Sequence, residues 1–333
     1  MRILILGGTV FLGRALVEAA LAQGDEISLF NRGISSPQLF PELERIRGDR
    51  NRDLDRLVGH RWDAVIDTSG YIPRQVQASA SLLKGSIQHY TFISTLSVYA
   101  NFDREEIKET DAVGMLTDPT TEQVTNETYG PLKAICELVA QEALPHQVLT
   151  IRPGLIVGPH DPTDRFTYWV HRVAQGGEVL APGDPGQLVQ LIDVRDLAEW
   201  NLRMIRKGET GVFNATGPRE PVAMAELLEI CKQVSGSDAH FTWVSEAFLL
   251  ENQVEPWIGL PLWIPESDPE SRGIFGANIQ RALEAGLTFR SLMDTVRDTL
   301  AWDSSRPSER EWRAGITQAR EADLLKAWKG THT

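Results

Sequence analysis

The feature that most restricts this chain is the turn Gly7-Gly8-Thr9-Val10-Phe11-Leu12-Gly13, which follows the apolar run Ile3-Leu4-Ile5-Leu6 without a break. The apolar run reads as a buried strand. Phe11–Gln23 then carries helical spacing through Leu12, Ala15, Leu16, Ala19 and Ala20, and Gly24 ends it. A strand that passes through glycines into a helix presents backbone N–H groups and a helix N-terminus to one anion, an arrangement suited to a pyrophosphate. The spacing is that of a GxxGxxG turn with one departure. Val10 stands where the middle glycine, which permits close approach to the phosphates, is expected. A β-branched residue there is expected to push a bound dinucleotide outward or to weaken it. Gly7, Thr9, Phe11, Leu12 and Gly13 are the candidate contacts in this turn.

The rest of the first half repeats the same rhythm. Glu26–Asn31, Ala64–Asp67, His89–Ser94 and Val148–Arg152 read as strands, and Arg52–Gly59, Val76–Leu83 and Thr128–Ala143 as helices. Strands separated by helical crossovers predict an α/β fold, a doubly wound parallel sheet over residues 1–152. After Pro153 the composition shifts to glycine and proline around a helical stretch, Asp164–Gln175. Val194–Ile205, Ala223–Ser235, Ile279–Ala285 and Phe289–Ala301 read as further helices, and Gly211–Ala215 as a strand. Residues 153–303 are therefore expected to form a smaller, loop-rich substrate lobe, with some segments returning to the sheet. The charged stretch 304–333 is expected to be a helical tail on the surface.

Three strand ends carry residues suited to a dinucleotide. Asn31 and Arg32 close the second strand, where an acidic residue would hold a ribose 2′-hydroxyl and an arginine suits a 2′-phosphate. This favours NADP(H), with NAD(H) as the alternative. Asp49 is placed to receive an adenine amino group or, equally, to bond its own turn. Thr68, Ser69 and Gly70 follow the next strand, on the ribose-phosphate side.

Tyr129 and Lys133, in Tyr129-Gly130-Pro131-Leu132-Lys133, share one helix face. A phenol beside a cation becomes a usable acid/base, because the cation favours the phenolate. Following a nucleotide-binding turn and a hydroxyl-rich strand end, Ser94-Thr95-Leu96-Ser97, this pair points to hydride-transfer chemistry.

Charge and composition exclude several classes. A net charge of −13 disfavours a nucleic-acid partner, and no apolar stretch reaches membrane-spanning length. Cys136 and Cys231 read as buried small hydrophobes in a reducing compartment, so the expected location is the cytoplasm. The seven histidines and two cysteines show no metal-ligand spacing, so no metal is expected.

Together, the glycine turn, Ser94-Thr95-Leu96-Ser97-Val98-Tyr99, Tyr129-Gly130-Pro131-Leu132-Lys133 and Arg152-Pro153-Gly154-Leu155-Ile156-Val157-Gly158-Pro159 resemble the extended short-chain dehydrogenase/reductase superfamily of nucleotide-sugar epimerases and dehydratases. The resemblance is strongest over residues 1–217. It implies a Rossmann fold and the catalytic set Thr95, Tyr129 and Lys133. Tyr129 would exchange a proton with the substrate oxygen, and Thr95 would orient that oxygen. Lys133 would bond the nicotinamide ribose and lower the pKa of the tyrosine. Pro153 would shape the nicotinamide pocket. It further implies a homodimer paired through the Tyr129 helix and the Val76–Leu83 region.

Two departures narrow the chemistry. Leu96 and Ser97 replace the acid/base pair that a dehydratase of this kind carries beside its threonine. In Val189-Gln190-Leu191-Ile192-Asp193-Val194-Arg195-Asp196, Val189 occupies the place of the family's phosphate-gripping arginine; Arg165, Gln187 and Arg195 are the candidate replacements. The expectation is an NAD(P)-dependent oxidoreductase or epimerase acting on a small sugar-like or other small molecule. The glycine turn and Phe30-Asn31-Arg32-Gly33 are similar to the chloroplast stem-loop RNA-binding proteins, an atypical branch. The alternative is therefore an NADP(H)-sensing or RNA-associated binding protein with little redox turnover.

Overall fold

In the computed structural model, which describes residues 1–331, the first six strands of the chain belong to one sheet. They are β1 (Arg2–Leu6), β2 (Glu26–Asn31), β3 (Glu44–Arg47), β4 (Ala64–Asp67), β5 (His89–Ile93) and β6 (Val148–Pro153). With a later strand, Gly211–Ala215, they form one parallel sheet in the order Gly211–Ala215, β6, β5, β4, β1, β2, β3. β4, β5 and β6 are buried along their whole length, as strands covered on both faces must be. The strand order reverses between β1 and β4, and a doubly wound sheet opens its ligand crevice at such a reversal.

Three helices position the site. α1 (Phe11–Ala22) buries Leu12, Ala15, Leu16 and Ala20, the spacing of one helix face. α2 (Pro73–Leu83) starts on a proline, whose fixed φ suits a first turn. α3 (Asn126–Ala143) is capped by Thr125 and Thr128, each side chain bonding the other's backbone N–H. The stretch Arg52–Gly59 forms only a single 3₁₀ turn, Leu54–Leu57. The Asp53 carboxylate accepts the Asp49 N–H at 2.8 Å, a local bond that competes with helix extension.

The chain divides into two compact units. The first comprises Met1–Gly154, Val194–Thr216 and Ala277–Thr288, so two later segments return to the sheet unit. The helix Val194–Lys207 returns because its buried face, including Leu197, Trp200 and Leu202, packs on α1. The second unit comprises Leu155–Asp193, Gly217–Gly276 and the chain from Phe289 on. Its core gathers Phe166, Trp169, Leu180, Val189, Leu227 and Trp263. Short strand pairs line that core, Glu178–Pro182 with His240–Val244 being the longest.

The C-terminal stretch is more than a surface tail. Its helix, Gln318–Thr331, buries Leu324 and Leu325 in the second unit's core. Its Glu321 carboxylate accepts Arg172 Nε at 2.5 Å and the Leu180 N–H at 2.9 Å.

Candidate functional site

The glycine turn lies at the C-terminal end of β1, at the sheet's reversal point. Gly7 and Gly8 have φ of 118° and 92°, conformations that side chains other than glycine rarely adopt. A Cβ on Gly13 would stand 2.8 Å from the Gly8 nitrogen, so the helix start and the turn are in direct backbone contact. α1 carries no side-chain cap and no acidic residue in its first turn. The Gly13 N–H donates to the Val10 carbonyl at 2.9 Å, and the Phe11 and Leu12 N–H groups are left as donors for an anion. Val10, the residue that breaks the glycine pattern, has an extended backbone with φ −127° and a half-exposed side chain. That conformation is open to any residue, so valine strains nothing there. Thr9 and Leu12 are buried in the turn, and Phe11 opens the helix at φ 35°.

The flanking candidates are tied to the same turn. Asn31 Nδ2 donates to the Gly7 carbonyl at 2.7 Å, and its Oδ1 accepts the Gly33 N–H at 3.0 Å. The Thr68 and Ser69 hydroxyls both donate to the Leu6 carbonyl, at 2.9 and 3.1 Å. Arg32 is exposed at the end of β2. Asp49 Oδ1 accepts the Asn51 backbone N–H and Nδ2, each at 2.8 Å, and these bonds hold its carboxyl below the usual range. Pro153 ends β6, in register with Ala215.

Arg50 and Asp67, which the sequence did not single out, lock these loops together. The Arg50 guanidinium donates to Asp67 Oδ1 at 2.9 Å and Oδ2 at 2.8 Å, and to the Ser69 and Ser79 hydroxyls, each at 3.1 Å. Tyr90 donates its phenol to Asp67 Oδ2 at 2.8 Å. Burial works to raise the Asp67 pKa, but Arg50 overrides it and holds the carboxylate below its ordinary value. The only sequence hint was the neighbourhood of Arg50 and Asp67 to Asp49 and Thr68.

Thr95, Tyr129 and Lys133 all fall within the first unit. Thr95 caps a 3₁₀ turn, Leu96–Val98; its Oγ1 accepts the Ser97 N–H at 3.1 Å. One backbone contact brings that turn against α3. A Cβ on Gly130 would stand 1.9 Å from the Ser97 carbonyl oxygen, a separation no side chain allows. The neighbouring Tyr129 is thereby set beside Thr95. Burial and the Tyr71 phenol raise the Tyr129 pKa, while a hydrogen bond from Thr95 works the other way.

Lys133 behaves differently from the expectation that it lowers the tyrosine pKa. Its Nζ donates to the carbonyls of Gly70 at 2.8 Å and Ile93 at 2.6 Å, and Tyr129 stays a protonated phenol. Burial pushes the lysine itself down to about 8, against the favourable charges of Asp67 and Glu137. An ammonium has three donors, so one N–H remains after these two bonds. The Ser94 hydroxyl, beside Thr95, donates to Glu137 Oε1 at 2.5 Å. Glu137 is also clamped by Arg152, through Nε at 3.0 Å and Nη2 at 2.6 Å.

In the second unit Val189 is fully buried in a two-residue strand. Of the candidate replacements there, Gln187 donates to the Leu262 carbonyl at 2.9 Å, and the Arg165 guanidinium lies 5.1 Å from the Trp257 ring centre. Among the described residues, no group of three or more His, Cys, Asp or Glu is placed to hold a metal, and no helix is long and apolar enough to cross a membrane.

Comparison with known proteins adds the following. The family model described as NAD dependent epimerase/dehydratase family matches residues 3–216. The chain is 28% identical over 254 residues to the chloroplast stem-loop binding protein of 41 kDa b from Arabidopsis thaliana, a match covering 71% of this chain and 63% of that relative. A putative epimerase from Burkholderia cenocepacia has a similar fold, with TM-score 0.70 and 17% identity over 91% of this chain and 98% of that one. A UDP-glucuronic acid 4-epimerase from Bacillus cereus, solved with NAD, gives TM-score 0.66 and 17% identity over 91% and 99%.

The Gly130 contact yields a direct prediction. Gly130→Ala must force α3 away from the Ser97 carbonyl, at a cost at or above the upper end of the ~1–3 kcal/mol typical of overpacking. Its melting temperature should fall by several degrees relative to the unmodified protein. An unchanged melting curve would show that the contact is not a constraint.

Proposed function

The chain belongs to the NAD dependent epimerase/dehydratase family, and from that membership we propose that it is a nicotinamide-dinucleotide-dependent oxidoreductase or epimerase acting on a carbonyl or hydroxyl of a small, sugar-like substrate. The observation that carries this reading is the juxtaposition of Thr95 with Tyr129 on the helix that also bears Lys133, enforced where Gly130 meets the Ser97 carbonyl. The uncapped start of α1 and the close-packed glycines fit a dinucleotide, which Gly7, Thr9, Phe11, Leu12 and Gly13 would hold at its pyrophosphate. Asn31, Arg32 and Asp49 would meet the adenosine end, Thr68, Ser69 and Gly70 the ribose-phosphate side, and Pro153 the nicotinamide pocket. When bound, the cofactor supplies hydride exchange with the substrate carbon.

The protein's own part is proton handling and orientation. Tyr129, held protonated by burial, is set to donate its proton to a substrate carbonyl in reduction and to recover it in oxidation. Thr95 would hold the same oxygen. The remaining N–H of Lys133 would reach a ribose hydroxyl and bring positive charge beside the phenol. Leu96 and Ser97 speak against a dehydration step, and Val189 against the usual grip on a sugar-nucleotide phosphate. The stem-loop binding relative keeps a binding role as the second reading, opposed by the net charge of −13. We place the protein in the cytoplasm, as a dimer paired through α2 and α3; the exposed Leu138 on α3 supports that face.

Three outcomes check this reading. Tyr129→Phe keeps the ring and removes the proton, so turnover on any substrate found in a screen of aldehydes, keto-sugars and nucleotide sugars should drop about 10²–10⁴-fold. Cofactor affinity should hardly change; full activity in that variant would refute the mechanism, and a panel without turnover would move the binding role to first place. In fluorescence titrations NADPH should bind more tightly than NADH, with Arg32→Ala removing most of the gap. Equal affinities in the unmodified protein would exclude the preference. Light scattering at micromolar concentration should give a dimer that Leu138→Asp converts to monomer, whereas a monomeric unmodified protein would rule the pairing out.

A further inference from the structure

Tyr71 follows Gly70 in the loop from β4 to α2, and its side chain is 49% exposed. The same ring meets both proton-handling groups. Lys133 Nζ lies 5.7 Å from the centre of the Tyr71 ring, within cation–π range. The Tyr71 and Tyr129 ring centres are 6.5 Å apart, tilted by 41°. Lys133 is only 4% exposed. On its other sides the ammonium meets the Phe92 ring at 4.1 Å and the carbonyls of Gly70 and Ile93. Phe92, Gly70 and Ile93 are all buried. Among these contacts of the ammonium, Tyr71 alone is open to solvent.

We propose that Tyr71 is a positioning residue for Lys133: its ring covers the ammonium, excludes bulk water from it, and keeps the lysine aimed at the Gly70 and Ile93 carbonyls with one N–H held for a cofactor ribose. The last clause rests on the function proposed above; the covering role does not. The physical argument is competition. Water reaching the ammonium would take up the third N–H and solvate the charge, and the two carbonyl bonds would lose their hold on the side chain. The ring, not the hydroxyl, provides the cover, since the contact is to the ring centre and no hydrogen bond joins the phenol to the lysine.

The pH behaviour of Lys133 reads this cover directly. The charged and titratable groups facing the lysine are Asp67 at the end of β4, Arg50 after β3, and Cys136, Glu137 and Tyr129 on α3. All of them remain when Tyr71 is changed; losing the ring also removes a cation–π contact that favours the ammonium, so an upward shift reports the cover against that opposing contribution. Burial holds the lysine at about 8. Admitting water favours the ammonium and must move that value upward, toward the ordinary lysine range near ~10.4.

The test is the pH–rate profile for acetylation of Lys133 by acetic anhydride, followed by mass spectrometry on the full-length protein. The unmodified protein and Tyr71→Phe should share a midpoint near pH 8. Tyr71→Ala should move it up by about one unit, with a faster plateau at high pH. Tyr71→Ser should behave as the alanine variant does, and it carries the test should the alanine variant fold poorly. A midpoint unmoved by removing the ring, or moved as far by Tyr71→Phe, would overturn the proposal. Titration of the unmodified protein with NADH and NADPH separates the two readings. Failure of both to bind would sink the proposed function and the ribose clause, while the acetylation profile still decides whether Tyr71 covers the lysine.

Discussion

The site depends on one steric fact, the approach of the Gly130 backbone to the Ser97 carbonyl. Helix α3 and the turn after β5 touch there with no room for a side chain. Neither element alone could set a phenol beside a threonine hydroxyl, because Tyr129 belongs to the helix and Thr95 to the strand end. The contact also decides how deep α3 lies, and with it the burial of Lys133 one turn further on. Close packing of this kind is stiff, since interiors at near-crystalline density have little space into which a displaced helix could move.

Two buried ion pairs then fix what the steric contact leaves free. Arg152 clamps Glu137, which lies one turn beyond Lys133 on α3, and Glu137 in turn takes the Ser94 hydroxyl next to Thr95. Arg50 clamps Asp67, whose successors Thr68 and Ser69 close over the end of β1. Pairs this deeply buried give little net stability against an apolar replacement, but the removal of one partner is severe. Their value here is geometric. They leave the lysine between two carboxylates that favour its charge, while burial opposes that charge. The result is a lysine that burial pushes down to about 8 while it stays bonded to two backbone carbonyls.

How much of this could be read from the sequence follows from which interactions are local. β1, the glycine turn, α1 and the helix with Tyr129 and Lys133 were legible because each is written in consecutive residues as a period or a punctuating glycine. β2, β4 and the strand Gly211–Ala215 match their expected limits for the same reason. The two-residue strands Leu188–Val189 and Val222–Ala223 carry no period and were not legible. Nor were the partners of Lys133, since carbonyls at Gly70 and Ile93 leave no trace in residue identity. Lys133 is not among the groups that move the Tyr129 pKa. Spacing put the two side chains on one face but said nothing about where the ammonium would find its bonds. Tyr71 was passed over because a loop tyrosine has no pattern to mark it.

The same distinction explains why the cofactor half of such a chain is easier to recognise than its substrate half. A glycine turn offers an anion its backbone N–H groups, so a sequence need only keep side chains out of the way. Val10 is tolerated because its backbone is extended and its side chain is turned to solvent. A substrate, by contrast, is selected by side chains, and a single exchange can change the selection while the fold stays intact. Val189 illustrates this. It is fully buried in the second unit's apolar core. The second unit places Phe166, Trp169 and Trp263 in the same core.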